Sequence, residues 1–244
     1  SVCDNGTSDW SVVSTFVTET LPATIPYVCD FENATENLAW RSLSNSIDKW
    51  AIGIAAGNGN TTTGTQANYI SNDNGVTYAI NNGGSNTTYV YSYRDIDFGT
   101  DPASYNLSFD WKCQGYVPFV TFPFAELVVY LRDPSEAINT SGLPANSNDN
   151  LGTYYNALTW QHAQLSINNL SGVKRLIFVY FDGFYNISPA AIDNISLTQA
   201  TCPRPASVIA SNLTTTTAEI SWVHPGADSY IVSYRTNTTG STFT

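Results

Sequence analysis

Short runs of alternating apolar and polar residues, separated by turn-forming residues, recur along most of the chain. Near the carboxyl end, for example, Ala218, Ile220 and Trp222 are expected on one face of a strand, with the residues between them on the other. Tyr, Thr, Val and Phe are plentiful, Asn and Gly recur between the runs, and helical periodicity is weak. This pattern predicts an all-β protein with many short strands joined by turns.

The longest series of predicted strands lies between residues 27 and 199. The strands are expected at 27–32, 48–54, 67–71, 76–80, 88–96, 104–112, 125–132, 158–166, 173–181 and 191–198. The best helical segment, 36–44, amounts to one or two turns. Residues 81–86 and 146–150, which are rich in Asn, are predicted to be loops.

Both ends of the chain look like pieces of another kind of module. Residues 1–20 are similar to the last strand of a fibronectin type III module, and residues 200–244 to the first half of one. Residues 21–26 are predicted to be a linker. Because half a sandwich leaves unpaired strand edges, we expect the ends to pack on each other, to swap between molecules, or to be poorly ordered. The chain is expected to come from a longer modular array.

The charge balance excludes several classes of partner. The net charge is −11 and the pI is near 4.3, so binding to nucleic acid phosphates or to an anionic membrane surface is not expected. No apolar run reaches about 18 residues, so no transmembrane helix is predicted.

The four cysteines are widely spaced and form no Cys-x-x-Cys pair, which makes a structural zinc site improbable. We interpret them as a sign of an extracytoplasmic protein, where disulfides persist. A bond between Cys29 and Cys113 is possible inside the main domain. Cys3 and Cys202 flank that domain and are assigned to the neighbouring modules.

Carboxylates occur on both the first and the last predicted strand of the main domain. Asp30 and Glu32 should share one face of the first strand, with Phe31 on the other, and Asp193 lies in the last strand. If these strands are neighbours in a sandwich, their carboxylates could hold a hard cation such as calcium. The alternative is that they are solvated or hydrogen-bonded edge residues. A weaker metal candidate at 72–75 is equally well explained by an Asx-type turn.

Four segments taken together resemble the choice-of-anchor J or cleaved-adhesin modules of secreted and surface proteins of Bacteroidetes. These segments are Tyr27–Glu32, Tyr69–Gly75, Leu107–Cys113 and Pro189–Leu197. The resemblance covers roughly residues 24–199. It implies a jelly-roll β-sandwich of the MAM and carbohydrate-binding-module type, a secreted or cell-surface location, and structural calcium at Asp30, Glu32 and Asp193.

A segment between two prolines, within 115–124, carries an unusual density of aromatic side chains. If exposed, these rings would form an apolar patch that marks a ligand or partner surface. Alternatively, the segment covers one open end of the sandwich as core. A second aromatic group follows the loop at 146–150, whereas Trp160 is expected in the core. The candidate ligand-binding residues are Tyr116, Phe119, Phe122, Phe124, Tyr154 and Tyr155.

Catalysis has little support in the sequence. The two histidines, His162 and His224, belong to no nucleophile or metal motif. The acidic residues between 95 and 101 are interpreted as a charged rim, although a pair of acids for glycoside hydrolysis remains open. We therefore expect a non-catalytic module that binds a glycan or a host protein. The alternatives are an architectural spacer within a multimodular protein and, as a third option, a hydrolase.

Overall fold

A computed structural model of the protein describes residues 2–3, 6–7, 20–60, 64–81, 87–115, 125–183, 189–201 and 206–223. The elements in chain order are β1 (Val2–Cys3), β2 (Gly6–Thr7), β3 (Ala23–Thr24), β4 (Tyr27–Cys29), α1 (Ala34–Asn37), β5 (Arg41–Ser44), β6 (Lys49–Gly53), β7 (Ala67–Ser71), β8 (Thr88–Asp97), β9 (Ala103–Cys113), β10 (Ala125–Arg132), a 3₁₀ turn (Ser147–Asp149), β11 (Asn150–Tyr154), β12 (Ala157–Leu170), β13 (Val173–Asp182), β14 (Ala190–Gln199), β15 (Ala206–Ser211) and β16 (Glu219–Val223). The prediction of an all-β protein is confirmed.

Two six-stranded sheets form the main domain. Sheet I has the order β11-β10-β13-β8-β3, with β5 also paired to β8, and sheet II has the order β12-β9-β14-β7-β6, with β4 also paired to β14. From β8 to β14 the chain passes repeatedly from one sheet to the other. This alternation is typical of a jelly-roll sandwich.

The first and last strands of the domain are neighbours, as the carboxylates on both strands suggested. In sheet II, β4 runs antiparallel to β14, with Cys29 opposite Ile195 and Tyr27 opposite Leu197. The predicted opening strand is shorter than expected, because Phe31 has a positive φ of 58° and turns the chain out of the ladder. The Phe31 ring is nevertheless fully buried.

Aromatic rings link the two sheets through the core. The Trp40 ring lies 5.5 Å from Phe31 and 6.2 Å from Phe178, and Phe178 in turn lies 5.2 Å from Phe109. Tyr154 extends this series at 5.3 Å from Phe109. Tilted and edge-on contacts of this kind stabilise a core beyond the area they bury.

Two regions differ from the sequence prediction of secondary structure. Residues 76–80 form no strand, because Asp73 accepts hydrogen bonds from the Thr77 amide (2.9 Å) and hydroxyl (2.7 Å) and holds the chain in a turn. The helical segment expected at 36–44 is replaced by the four-residue helix α1 and the strand β5. In addition, β11 follows the predicted loop directly.

The proposed disulfide between Cys29 and Cys113 is wrong. Both are buried free thiols, and their partners on β14 are Ile195 and Ala190, respectively. Partners that far apart along one strand separate the two cysteines by roughly 15 Å, well beyond the Cα spacing a disulfide allows.

Little of the two ends lies within the described residues. In the carboxyl-terminal segment, β15 and β16 form an antiparallel hairpin, on which Val208 and Val223 are exposed. At the other end, Ala23–Thr24, within the predicted linker, pairs in parallel with β8 of sheet I.

Candidate functional site

Two buried aspartates face each other on the outer face of sheet II. Asp193 of β14 lies directly opposite Asp110 of β9 in the ladder. They are 1% and 3% exposed, respectively. On the far side of β9, His162 of β12 is the ladder partner of Asp110, and its Nδ1 lies 2.8 Å from Asp110 Oδ1. Three neighbouring strands thus place these polar side chains in one row.

The segment 54–60 covers this row and supplies backbone donors to it. The Gly59 amide donates to Asp193 Oδ2 (2.6 Å), and the Asn60 amide donates to Asp110 Oδ2 (2.7 Å). The approach leaves no room for a side chain, since a Cβ on Gly59 would lie 2.5 Å from Asn194 Nδ2 and 2.7 Å from Asp110 Oδ2.

A local irregularity in β14 completes the arrangement. Asn194 has a positive φ of 50°, and the ladder register shifts between Asp193 and Ser196. The Asn194 amide therefore donates to Asp193 Oδ1 (2.7 Å), while its side-chain Nδ2 donates to Asp110 Oδ2 (2.8 Å). Bulges often aim polar groups at functional sites in this way.

Among the described residues, the one ion-pair partner of the two aspartates is His162, which is charged only when protonated. Burial raises the pKa of Asp193 to about 6, and repulsion from Asp110 and Asp30 adds to the shift, although the Gly59 and Asn194 amides oppose it. Two unit charges about 5 Å apart at an effective dielectric constant of 20 repel by about 3 kcal/mol. A proton or a bound cation would relieve this repulsion.

The structure separates the roles of the three predicted metal ligands. Asp30 is close enough to Asp193 to influence its titration. The Glu32 carboxylate instead accepts hydrogen bonds from the Thr65 amide (2.5 Å) and the Gln66 amide (2.6 Å). These bonds lower the pKa of Glu32 and fix the segment that leads into β7.

Oxygen donors of the kind that calcium prefers are present at the Asp110–Asp193 pair. Within the described ranges, however, no three His, Cys, Asp or Glu side chains form a metal-binding group. A calcium ion here would use the carboxylates of Asp193 and Asp30, because the backbone and Asn194 groups described at the pair direct N–H donors at it.

The predicted aromatic ligand residues fall into two groups. Tyr116, Phe119, Phe122 and Phe124 lie outside the described residues. Tyr154 is half-buried rather than exposed, since its ring packs 5.0 Å from Trp111 and against Phe109. Tyr155 is 38% exposed. Trp160, expected in the core, is half-buried on the outer face of sheet II, where its ring lies 4.9 Å from Lys112 Nζ.

A different aromatic surface lies on the outer face of sheet I. Alternate residues of β8, namely Tyr89, Tyr91 and Tyr93, point away from the core, where Val90 packs. Tyr91 is buried under the segment 133–149, because its hydroxyl donates to the Asn139 and Gly142 carbonyls. Tyr89 and Tyr93 remain partly exposed on either side.

A cavity of about 330 Å³ opens beside Tyr93. The Arg175 guanidinium lies 4.5 Å from the centre of the Tyr93 ring and holds both oxygens of Asp95, at 2.7 and 2.8 Å. Arg41 and Ser135 also line the cavity. We call this site the Tyr93 cavity.

Sequence reasoning missed the Tyr93 cavity because its residues lie far apart in the chain. The sequence predicts a charged rim near residue 95, whereas Asp95 is paired with Arg175. The one available signal was the alternation of tyrosines in 88–96, which places Tyr89, Tyr91 and Tyr93 on one face of a strand.

No protein-family model and no curated protein matches the sequence. Among solved structures, the chain is similar to the K1 cleaved adhesin domain of Lys-gingipain from Porphyromonas gingivalis W83 (14% identity, 71% of this chain and 98% of that one, TM-score 0.44). It is also similar to the xylan-binding domain CBM22-1 from Paenibacillus barcinonensis (13%, 74% and 97%, TM-score 0.39). At this level the likeness concerns the β-sandwich alone.

A third similar structure is the enzymatically active domain of tailspike protein 4 from bacteriophage CBA120 (12% identity, 70% of this chain, TM-score 0.45). The match spans about 20% of that chain. The part of the protein that the structure describes has no helix with the length and apolar character needed to cross a bilayer.

Proposed function

We propose that the main domain is a non-catalytic glycan-binding module of a secreted or surface-displayed multimodular protein of the choice-of-anchor J type, flanked by fibronectin type III modules. The observation that carries this proposal is the Tyr93 cavity. It combines an aromatic ring with rigidly held polar groups, which is the composition expected of a small-molecule or sugar site.

The polar groups of the Tyr93 cavity are fixed before any ligand arrives. Arg175 is clamped between the Asp95 carboxylate and the Tyr93 ring, so little side-chain entropy remains to be lost on binding. Arg41 also lines the cavity, next to Tyr93 in the ladder, and has no ion-pair partner among the described residues. Sugar hydroxyls could therefore bond to preorganised donors and acceptors beside the Tyr93 ring.

We also propose that calcium stabilises the module at the outer face of sheet II. The ion would be held by Asp193 and Asp30, and it would supply the positive charge that the Asp110–Asp193 pair lacks. Its role is structural, because the row lies on sheet II and the Tyr93 cavity lies on sheet I. Glu32 would act on the site indirectly, through the segment that it anchors at Thr65 and Gln66.

The decisive test is a glycan and host-matrix array probed in calcium buffer. We expect binding to one class of glycan and its loss in Tyr93→Ala. Tyr155→Ala is the matched control, because this exposed tyrosine lies outside the Tyr93 cavity and should bind normally. Ser135→Trp, which changes an exposed residue at the cavity wall, should block binding without disturbing the core.

Each other outcome of the array has a definite meaning. Unchanged binding in both Tyr93→Ala and Ser135→Trp would overturn the assignment to the Tyr93 cavity. Loss of binding in Tyr155→Ala instead would direct attention to the aromatic segment 115–124. No binding to any glycan or matrix protein, by a protein with a cooperative melt, would favour the architectural spacer.

A further inference from the structure

The Tyr93 cavity carries an excess of positive charge, although the chain as a whole is acidic. The chain has 9 Lys and Arg residues against 20 Asp and Glu residues. The charged members of the described cavity lining are Arg41, Arg175 and Asp95, so the formal charges of the two arginines exceed that of the aspartate. This lining is opposite in sign to the rest of the protein and favours a negatively charged ligand.

Strand pairing places a guanidinium group on each side of Tyr93. In sheet I, Arg41 of β5 lies directly opposite Tyr93 of β8. Side chains of residues that are opposite each other in a ladder lie on the same face, so Arg41 extends over the outer face beside Tyr93. On the other side of β8, the Arg175 guanidinium lies 4.5 Å from the centre of the Tyr93 ring.

The two arginines differ in what compensates their charge. Arg175 donates to both oxygens of Asp95, at 2.7 and 2.8 Å, so its charge is matched. Arg41 is partly buried, and it makes no ion pair or hydrogen bond through its side chain with the described residues. A guanidinium stays charged at any pH that the protein tolerates and carries five N–H donors. The donors of Arg41 are therefore available to a ligand in the cavity.

The acidic side chains on the segment beside the cavity do not neutralise Arg41. Asp133 accepts hydrogen bonds from the Ser135 amide (2.9 Å) and hydroxyl (2.6 Å). Glu136 is paired with Arg132. The unmatched charge in the cavity therefore belongs to Arg41.

We propose that the Tyr93 cavity binds a sugar that carries a carboxylate, and that Arg41 holds this carboxylate through two parallel N–H bonds. The choice of a sugar rests on the proposed function, whereas the requirement for a carboxylate rests on Arg41. The cavity volume of about 330 Å³ is near the lower end of ligand pockets, which suits one sugar ring. Uronic acids within polysaccharides and sialic acids at the ends of glycans both offer this chemistry.

The test is a titration of ¹⁵N-labelled protein, followed through the backbone amide signals of Arg41 and Tyr93. The acidic probes are galacturonic acid, glucuronic acid and N-acetylneuraminic acid, and the neutral probes are galactose, glucose and the methyl ester of galacturonic acid. We expect at least one acidic sugar to shift these signals and to bind at least about tenfold more tightly than the neutral probes, the effect of one charge-assisted hydrogen bond. A response to the uronic acids indicates a polysaccharide source, and a response to N-acetylneuraminic acid indicates a sialylated glycan.

Two variants test the role of Arg41. Arg41→Gln should remove the preference for the acidic sugar, and Ser135→Glu, which adds a negative charge at the exposed cavity wall, should also weaken binding of that sugar. Lys49→Gln is the matched control, because it changes the net charge by the same amount at an exposed residue of sheet II and should bind like the wild type. If the neutral probes bind as tightly as the acidic ones, if no acidic sugar shifts the two signals, or if both cavity variants keep the preference, the acidic-sugar proposal is wrong.

The array experiment separates this result from the proposed function. Binding of neutral glycans that is lost in Tyr93→Ala but kept in Arg41→Gln would leave the Tyr93 cavity as the glycan site and overturn the carboxylate alone. Glycan binding that survives in Tyr93→Ala and Ser135→Trp would overturn both proposals.

Discussion

Asp110 and Asp193 lie directly opposite each other on neighbouring strands, and both carboxylates are buried. Like charges placed this way destabilise a ladder. The neighbouring backbone and Asn194 donors reduce the repulsion but carry no net charge. On this face the nearest lysine along β9, Lys112, is engaged with the Ala56 carbonyl and the Tyr78 and Trp160 rings. His162, whose Nδ1 lies 2.8 Å from Asp110 Oδ1, brings a positive charge to the row only when it is protonated. With a neutral His162, a proton on the pair or a bound cation would relieve the repulsion.

If calcium is that cation, chelation should lower the melting temperature. At a calcium concentration roughly 100 times its dissociation constant, binding contributes about 2.7 kcal/mol, which corresponds to a shift of about 5–10 °C for a domain of this size. Asp193→Asn should be insensitive to chelator. Scanning calorimetry of both proteins, with and without chelator, measures this, and a wild-type melt that ignores chelator would disprove the calcium proposal.

Without calcium, stability should fall as the pH rises. The pKa of Asp193 is raised by burial from 3.8 to about 6, so the folded state holds this proton more tightly than the unfolded state. The contribution is fully present below pH 4 and is lost as the pH rises through 6, at a cost of up to about 2–3 kcal/mol.

Denaturant unfolding at several pH values, in chelator, tests the titration of this group. Asp193→Asn should remove the Asp193 share of the decline between pH 4 and 6. Burial also raises the pKa of Glu126 from 4.5 to about 7, so a decline of similar size between about pH 4.5 and 7 should persist in that variant and disappear in Glu126→Gln. Saturating calcium should suppress the Asp193 part, because the ion favours the ionised carboxylate. A profile that is the same in wild type and Asp193→Asn would contradict this assignment.

Gly59 lies in the segment 54–60 and packs closely against the side chains of Asn194 and Asp110. A methyl group there would have to displace Asn194 or Asp110, so Gly59→Ala should destabilise the domain by about 1–3 kcal/mol. Gly57→Ala is a partial control, because nothing lies within 4 Å of a Cβ there, although its φ of 71° adds some strain. Equal stability of the two variants in denaturant unfolding would show that segment 54–60 does not sit on the pair.

The alternation of apolar residues predicted an all-β protein because it depends only on the period of a strand. The carboxylates on the first and last strands, together with the resemblance to adhesin modules, suggested that β4 lies beside β14 and directed attention to Asp193. The sequence did not identify Asp110 as a site residue, because its position opposite Asp193 depends on the register of β9 against β14. The bulge at Asn194 changes that register within β14.

The Tyr93 cavity could not be predicted from the sequence either, because it also depends on strand pairing. Arg175 and Asp95 are 80 positions apart in the chain, and only the pairing of β13 with β8 brings them together. The strand prediction at 76–80 was wrong because Asp73 uses local side-chain bonds that outweigh the pattern of apolar residues.

The two buried cysteines, Cys29 and Cys113, should be inert in the folded protein. Burial raises the pKa of Cys113 to about 12 and also raises that of Cys29, and only a thiolate reacts quickly with alkylating reagents. Mass-spectrometric mapping after brief iodoacetamide treatment should find both unmodified in the native state and both alkylated after denaturation. The denatured sample is the control for reagent access. A peptide in which Cys29 and Cys113 are linked would contradict the separation of β4 from the end of β9, and rapid native labelling of Cys113 would show that the core near Ala190 opens readily.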